Sequence, residues 1–267
     1  MVLQETYTLT NGIKVPKLGL GTWQIPEGEQ TYNAVMWALQ NGYRHIDTAL
    51  AYGNEASVGR AIKDSGIPRE EIFVTTKLPA EHKGYKVAYE CFEKSLTLLG
   101  LDYIDLYLIH APWPWDKIGS DWTEGNMESW KAFEEIYDSG KAKAIGISNF
   151  EPKHIQPLLN GCKHVPMVNQ ISFHIGNRQE EIVDFCRPLN IKIMAYSPLA
   201  TGRIIDNKVI VAMAEKYSVT AAQICIRYCL QKDTIVIPKS TKEERIISNA
   251  EVDFEISKDD MNKLDQI

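Results

Sequence analysis

Short apolar runs rich in β-branched residues alternate along this chain with longer stretches whose apolar positions recur at helical spacing. The short runs fit strands buried on both faces, and the longer stretches fit amphipathic helices packed over them. Residues 7–9 and 13–15 predict a hairpin. A two-residue turn at Asn11-Gly12 would join its arms, since both residues accept positive φ. A glycine-rich strand at 18–21 leads into a helix over Glu29–Gln40. A strand at His45–Asp47 precedes a helix over 55–65, with the chain turning from Ala51, Gly53 easing the bend and Asn54 as N-cap. Further strands are predicted at 72–77, 104–110, 144–148, 167–171, 191–196 and 234–237. Helices follow at 86–99, at 127–139, after Pro152, at 180–189, at Lys208–Tyr217 and Ala221–Gln231, and at 242–250. A last helix follows Ser257. About eight strand-then-helix units result, the number of a (β/α)8 TIM barrel. The hairpin would plug one end, and extra helices decorate the outside. No linker or low-complexity stretch interrupts the alternation, so residues 1–267 are expected to form one domain.

The longest connection is predicted over 111–125. It holds Trp113, Trp115 and Trp122, and its aromatic content favours a binding wall over disorder. Of 267 residues, 44% are hydrophobic and 24% charged, an ordinary globular balance. The formal net charge of −6 argues against bulk nucleic-acid binding. No apolar run is long enough to span a bilayer, and the first residues lack a basic-then-apolar leader pattern. A soluble, cytoplasmic protein without membrane partners is expected. It should be a monomer, because no heptad or other association motif is present. The cysteines Cys91, Cys162, Cys186, Cys225 and Cys229 are odd in number and scattered, so they read as buried hydrophobes rather than as a disulfide framework or metal site.

Chemistry enters at the strand ends. Asp47, Lys77 and His110 end successive predicted strands, and Tyr52 lies on the loop after Asp47. Taken alone, a tyrosine and an aspartate on a turn mean little. In a parallel barrel, all these groups meet at the mouth where barrel enzymes work. Lys77 would favour the phenolate and lower the Tyr52 pKa, with Asp47 keeping the lysine charged and aimed. Tyr52 would then exchange a proton with a carbonyl oxygen, and a neutral His110 would give that oxygen a second hydrogen bond. Such an apparatus needs a hydride donor. Ser148, Asn149 and Gln170 can bind a carboxamide, and Tyr196 offers a flat face to an aromatic ring. Lys239, Ser240, Arg245 and the start of the following helix suit an anion.

These motifs resemble the aldo-keto reductase family, along nearly the whole chain. The likeness rests on residues 18–23, 42–55, 74–77, 102–110, 140–150, 169–170, 195–199 and 237–249. Together they are specific, though each is weak alone. The pattern is similar to that of compact bacterial members such as diketogluconate and methylglyoxal reductases. The resemblance implies a catalytic tetrad of Asp47, Tyr52, Lys77 and His110, with Tyr52 as the acid–base. It also implies NADP(H) bound in extended form without a Rossmann fold, and the chain indeed carries no Gly-x-Gly-x-x-Gly after a strand. Ser148, Asn149 and Gln170 would take the carboxamide, and Tyr196 would stack on the nicotinamide. Lys239, Ser240 and Arg245 would take the 2′-phosphate, with Asn249 facing the adenine. Gly21, Thr22, Trp23, Asp47, Ser197, Leu199 and Thr241 complete the implied cofactor site. Trp23, Tyr52, His110, Trp113 and Trp115 would line the substrate site, with Trp122 a further candidate wall. Ser248 departs from the family pattern, standing where many relatives carry a glutamate near the adenine. The loop after Tyr196 is short, and so is the stretch after the last helix. A short tail leaves the substrate side open, which suggests broad specificity for small aldehydes and ketones. No metal is expected.

Two other classes fit parts of the pattern. A lyase would use Lys77 as a Schiff base, but that needs a neutral amine, which an adjacent Asp47 opposes. A cofactor-sensing binder on the same fold would retain the nucleotide residues without turnover, and the complete tetrad argues against it.

Overall fold

The structure is a computed structural model that describes residues 1–267. Strands β1 (Thr6–Thr8) and β2 (Lys14–Pro16) form an antiparallel hairpin. The strands of the main sheet are β3 (Leu20–Gly21), β4 (His45–Asp47), β5 (Phe73–Leu78), β6 (Ile104–Ile109), β7 (Ala142–Ser148), β8 (Val168–Ser172), β9 (Lys192–Tyr196) and β10 (Ile235–Ile237). This 8-stranded sheet is parallel and runs in sequence order. Its two edges meet at a parallel bridge between Leu18 and Val236, where the Gly19 and Gly21 amides donate to the carbonyls of Val236 and Pro238. The result is a nearly closed (β/α)8 barrel.

Around it lie α1 (Glu29–Gln40), α2 (Glu55–Asp64), α3 (Tyr85–Leu99), α4 (Thr123–Asp138), α5 (Pro152–Gly161) and α6 (Glu180–Cys186). They are followed by α7 (Lys208–Tyr217), α8 (Ala221–Gln231), α9 (Glu243–Ala250) and α10 (Lys258–Leu264). No single helix is long and apolar enough to cross a membrane.

Strand alternation gives the lumen its chemistry. On β4 and β5, one face carries His45, Asp47, Thr75 and Lys77. His45 Nε2 lies 3.0 Å from Thr75 Oγ1, and Lys77 Nζ lies 2.6 Å from Asp47 Oδ1. A polar column therefore climbs the inside of the barrel. Gly19 lines the same space, since a Cβ there would fall 2.7 Å from the His45 ring. The opposite face of β5 carries Thr76, whose hydroxyl donates to the buried Glu55 carboxylate on α2. Cys225 and Cys229 are buried in the core on one face of α8, as their spacing predicted.

Two local readings change. The hairpin turn is longer than two residues. Leu9 N–H donates to the Ile13 carbonyl and Gly12 N–H to the Leu9 carbonyl, leaving Thr10, Asn11 and Gly12 in the loop, with Gly12 at φ 86°. Asn11 Oδ1 accepts from the Ile13 amide, an Asx contact that a two-residue turn would not allow. Helix α4 begins at Thr123 rather than 127, so the long connection is shorter than expected. Before α2, Leu50–Tyr52 makes one 3-10 turn, which Gly53 ends at φ 68°.

Candidate functional site

Asp47 ends β4, Lys77 is the penultimate residue of β5, and His110 directly follows β6. The 3-10 turn after β4 swings Tyr52 over them. Lys77 Nζ donates to Asp47 Oδ1 at 2.6 Å and to the Thr48 carbonyl at 2.8 Å, and stands 3.4 Å from the Tyr52 hydroxyl. That hydroxyl is 3.5 Å from His110 Nε2. The sequence-predicted tetrad thus forms one connected cluster.

Its electrostatics differ from the expectation in one respect. Burial, reinforced by the Asp47 carboxylate, pushes the Tyr52 phenol well above its ordinary range. Lys77 was expected to lower it, but the desolvation of an enclosed phenol outweighs a lysine already engaged by Asp47. Tyr52 is therefore a protonated acid. Burial, with Lys77 and then Lys83 adding to it, holds His110 well below its ordinary value, so its imidazole is neutral. Within the Lys77–Asp47 pair, burial pulls the lysine down and the carboxyl up, and the ion pair opposes both shifts.

Further side chains brace this cluster. Thr22 is buried, and both its amide and its hydroxyl donate to the Asp47 carbonyl at 3.0 Å. Gln170, in mid-strand on β8 rather than at its end, donates through Nε2 to Asp47 Oδ2 at 2.7 Å. Its side-chain Oε1 makes no internal hydrogen bond and is free to accept one, whereas its backbone carbonyl accepts from the Asn149 amide. Ser148 Oγ donates to the Gln170 carbonyl at 2.8 Å. Asn149 sits at φ 62°, a left-handed conformation that asparagine tolerates better than most residues. Its amide donates to the His110 carbonyl at 2.9 Å, and Tyr196 Oη donates to its Oδ1 at 2.8 Å. Ser148, Asn149, Gln170 and Tyr196 thus share one network with the tetrad.

An aromatic ledge leads outward from His110. The His110 and Trp115 rings lie edge-on with centroids 5.7 Å apart, and Trp115 meets Trp113 at 5.2 Å. Trp115 is 40% exposed and Trp23 is 47% exposed. Trp122 stands outside this chain of rings, with Nε1 donating to Ser120 Oγ.

Of the remaining predicted residues, Gly21 pairs in register with Asp47, and the others make no hydrogen bond to the tetrad. Gly21 abuts β10, where a Cβ would fall 2.9 Å from the Ile237 carbonyl. Ser197 adopts φ 50° in the loop that holds Leu199. Lys239, Ser240 and Thr241 follow β10, and Arg245 and Asn249 lie on α9. Lys239 and Arg245 are exposed and make no internal ion pair. Ser240 and Asn249 are buried.

Sequence reasoning missed one brace. Asn54, expected to cap α2, makes no side-chain cap hydrogen bond. Its Oδ1 accepts from Thr48 Oγ1 at 2.7 Å, and its Nδ2 donates to the carbonyls of Thr22 and Ile25 at 3.0 and 2.9 Å.

The aldo/keto reductase family description matches residues 17–267. The chain belongs to the aldo/keto reductase family. It is 45% identical to the glyoxal reductase of Bacillus subtilis, over 99% of this chain and 93% of that one. It is 40% identical to the glycerol 2-dehydrogenase (NADP(+)) of Saccharomyces cerevisiae, over 97% of this chain and 89% of that one. Among solved structures, an aldo/keto reductase from Brucella melitensis superposes with a TM-score of 0.92 at 39% identity, over 98% of both chains. This aldo/keto reductase is accordingly an oxidoreductase that acts on carbonyl groups.

Proposed function

We propose that this chain reduces small aldehydes and ketones to alcohols with NADPH, and that Tyr52 delivers the proton. The observation that carries the reading is the convergence of a protonated Tyr52, a neutral His110 and the Lys77–Asp47 pair beside an open aromatic ledge. The nicotinamide, when bound, supplies the hydride. The free Gln170 side-chain Oε1, with Ser148 and Asn149 beside it, suits a carboxamide. The exposed, unpaired Lys239 and Arg245 near the start of α9 suit a 2′-phosphate, with Ser240 between them and Asn249 further along the helix. Gly21, Thr22, Trp23, Ser197, Leu199 and Thr241 would complete the cofactor walls.

Charge developing on the carbonyl oxygen is met by two donors, the Tyr52 hydroxyl and the His110 imidazole. The Tyr52 proton moves to that oxygen, and the phenolate left behind faces the Lys77 ammonium. Asp47 keeps that ammonium charged and oriented. Trp23, Trp113 and Trp115 hold the substrate's apolar part.

The test is loss of NADPH absorbance with a panel of methylglyoxal, glyceraldehyde, a nitrobenzaldehyde and a diketo sugar acid, run in parallel with NADH. Turnover with NADPH is expected. Tyr52→Phe should lower kcat by about 10²–10⁴ with NADPH affinity nearly intact. Undiminished turnover in that variant sinks the role of Tyr52. Tight NADPH binding by the native chain with no turnover on any carbonyl makes it a sensor instead.

A further inference from the structure

We infer that Lys83 is a positioning residue for the carbonyl site, holding the segment that carries the His110 imidazole and the Trp113–Trp115 ledge. The inference rests on the carbonyl-reductase reading for its kinetic consequences, but its structural basis is separate. Beyond the end of β6, the backbone from His110 to Pro112 leaves the sheet and must find other partners for its buried carbonyls. Each finds a side-chain donor from a different element. The His110 carbonyl takes Asn149 Nδ2, from the loop after β7, at 2.9 Å. The Ala111 carbonyl takes Lys83 Nζ, from the loop between β5 and α3. The Pro112 carbonyl takes Asn126 Nδ2, from the first turn of α4, at 2.7 Å.

Lys83 is the charged member of this set, and charge-assisted hydrogen bonds are roughly twice as strong as neutral ones. The fold makes room for it. The Lys83 stem crosses α4 at Gly125, where a Cβ would fall 2.9 Å from Lys83 Cβ. Ser129 Oγ of α4 accepts the Gly84 amide at 2.9 Å and fixes the loop on its other side. The lysine is partly buried among these elements. The titratable groups that face it are Glu81 on its own loop, His110 at the end of β6 and His154 on α5. Burial brings its ammonium down to about 7, against the pull of Glu81. Charge on the clamp thus changes near neutral pH. Charge on a guanidinium would not.

The experiment compares the full chain with Lys83→Met and Lys83→Arg. Its first readout is amide hydrogen exchange across residues 110–117, which needs no turnover. Exchange about tenfold faster in Lys83→Met, restored in Lys83→Arg, is expected from loss of one charge-assisted hydrogen bond. The second readout is steady-state kinetics with methylglyoxal and a nitrobenzaldehyde. Lys83→Met should raise KM for the aromatic aldehyde about tenfold, with kcat within about threefold and NADPH affinity unchanged. Native KM should rise from pH 6 to pH 8, and the arginine variant should flatten that rise. Unchanged exchange over 110–117 in Lys83→Met overturns the inference. So does a uniform loss of kcat, cofactor affinity and Tm that arginine does not rescue. If the native chain turns over no carbonyl, the functional reading fails, while the exchange result still decides whether Lys83 holds the segment.

Discussion

At Asn54 a single buried amide ties together the turn after β4, the Thr22 backbone and the Ile25 backbone. It stands two positions after Tyr52, so it fixes the base of the turn that presents the phenol. Asn54→Ala would leave the buried Thr48 hydroxyl without its acceptor and take one of two donors from each of the Thr22 and Ile25 carbonyls. We expect a loss of about 2–3 kcal/mol in urea unfolding. A fall in kcat should accompany it, because Tyr52 loses its support. Retained stability with normal kcat would mean water replaces the amide. Arg245 acts at the other end of the proposed cofactor site. Arg245→Ala should weaken NADPH about tenfold or more while leaving NADH within about twofold, checked by fluorescence titration. Equal weakening of both would mean that Arg245 does not read the 2′-phosphate. The tetrad was legible in the sequence because each member ends a recognisable strand or follows one closely. Asn54 was not, since an asparagine ahead of a helix already has a sufficient local explanation as a cap. Lys83 was not either, because a lysine in a polar loop reads as solvated until α4 is seen to cover its stem.

Between elements, α2 and α3 approach so closely at Gly59 that a Cβ there would lie 2.0 Å from the Leu99 carbonyl. Backbone, not a flexible side chain, blocks that space. Gly59→Ala must therefore push the helices apart. It should cost about 3 kcal/mol despite alanine's better helix propensity, and it should disturb Glu55 at the start of α2. Denaturant unfolding checks this, and a stabilised variant would refute the packing. Helices α1, α7 and α8 lie where their apolar spacing put them. The start of α4 was missed because Thr123–Asn126 is polar and holds a glycine, which reads as loop. That turn is helical because it covers the loops beside it, with Asn126 and Ser129 supplying hydrogen bonds to their backbones. The hairpin turn was misjudged because Asn-Gly also serves in longer loops, where the asparagine side chain caps the turn.

For the whole molecule, the polar column in the lumen makes stability depend on acid. Burial brings the His45 imidazole down to about 3, so it stays neutral in the folded chain when an unfolded histidine would gain a proton. The unfolded state then binds more protons below about pH 6.5, and folding stability falls as pH drops from there toward 3. His45 alone should cost about 2 kcal/mol by pH 5, and the neutral His110 acts in the same direction. Asp47 and Glu55, whose carboxyls burial holds up, work in the opposite sense nearer the ordinary carboxylate range. Comparing the native chain with His45→Gln isolates the histidine. The slope of Tm against pH between 6.5 and 5 should be shallower in the variant, and identical slopes would refute the assignment. The barrel's parallel order was readable from the alternation of runs, but its seam was not, because two short strands far apart in sequence carry no mark of their pairing. That seam has a consequence for how the protein is made. Leu18 leaves the ribosome early and Val236 late. Until the last strand emerges, the nascent chain carries β3 as an open sheet edge, a template for pairing with other chains. Chaperone dependence during synthesis should therefore track the delay in translating the final third of the message, even though the finished barrel has no such edge.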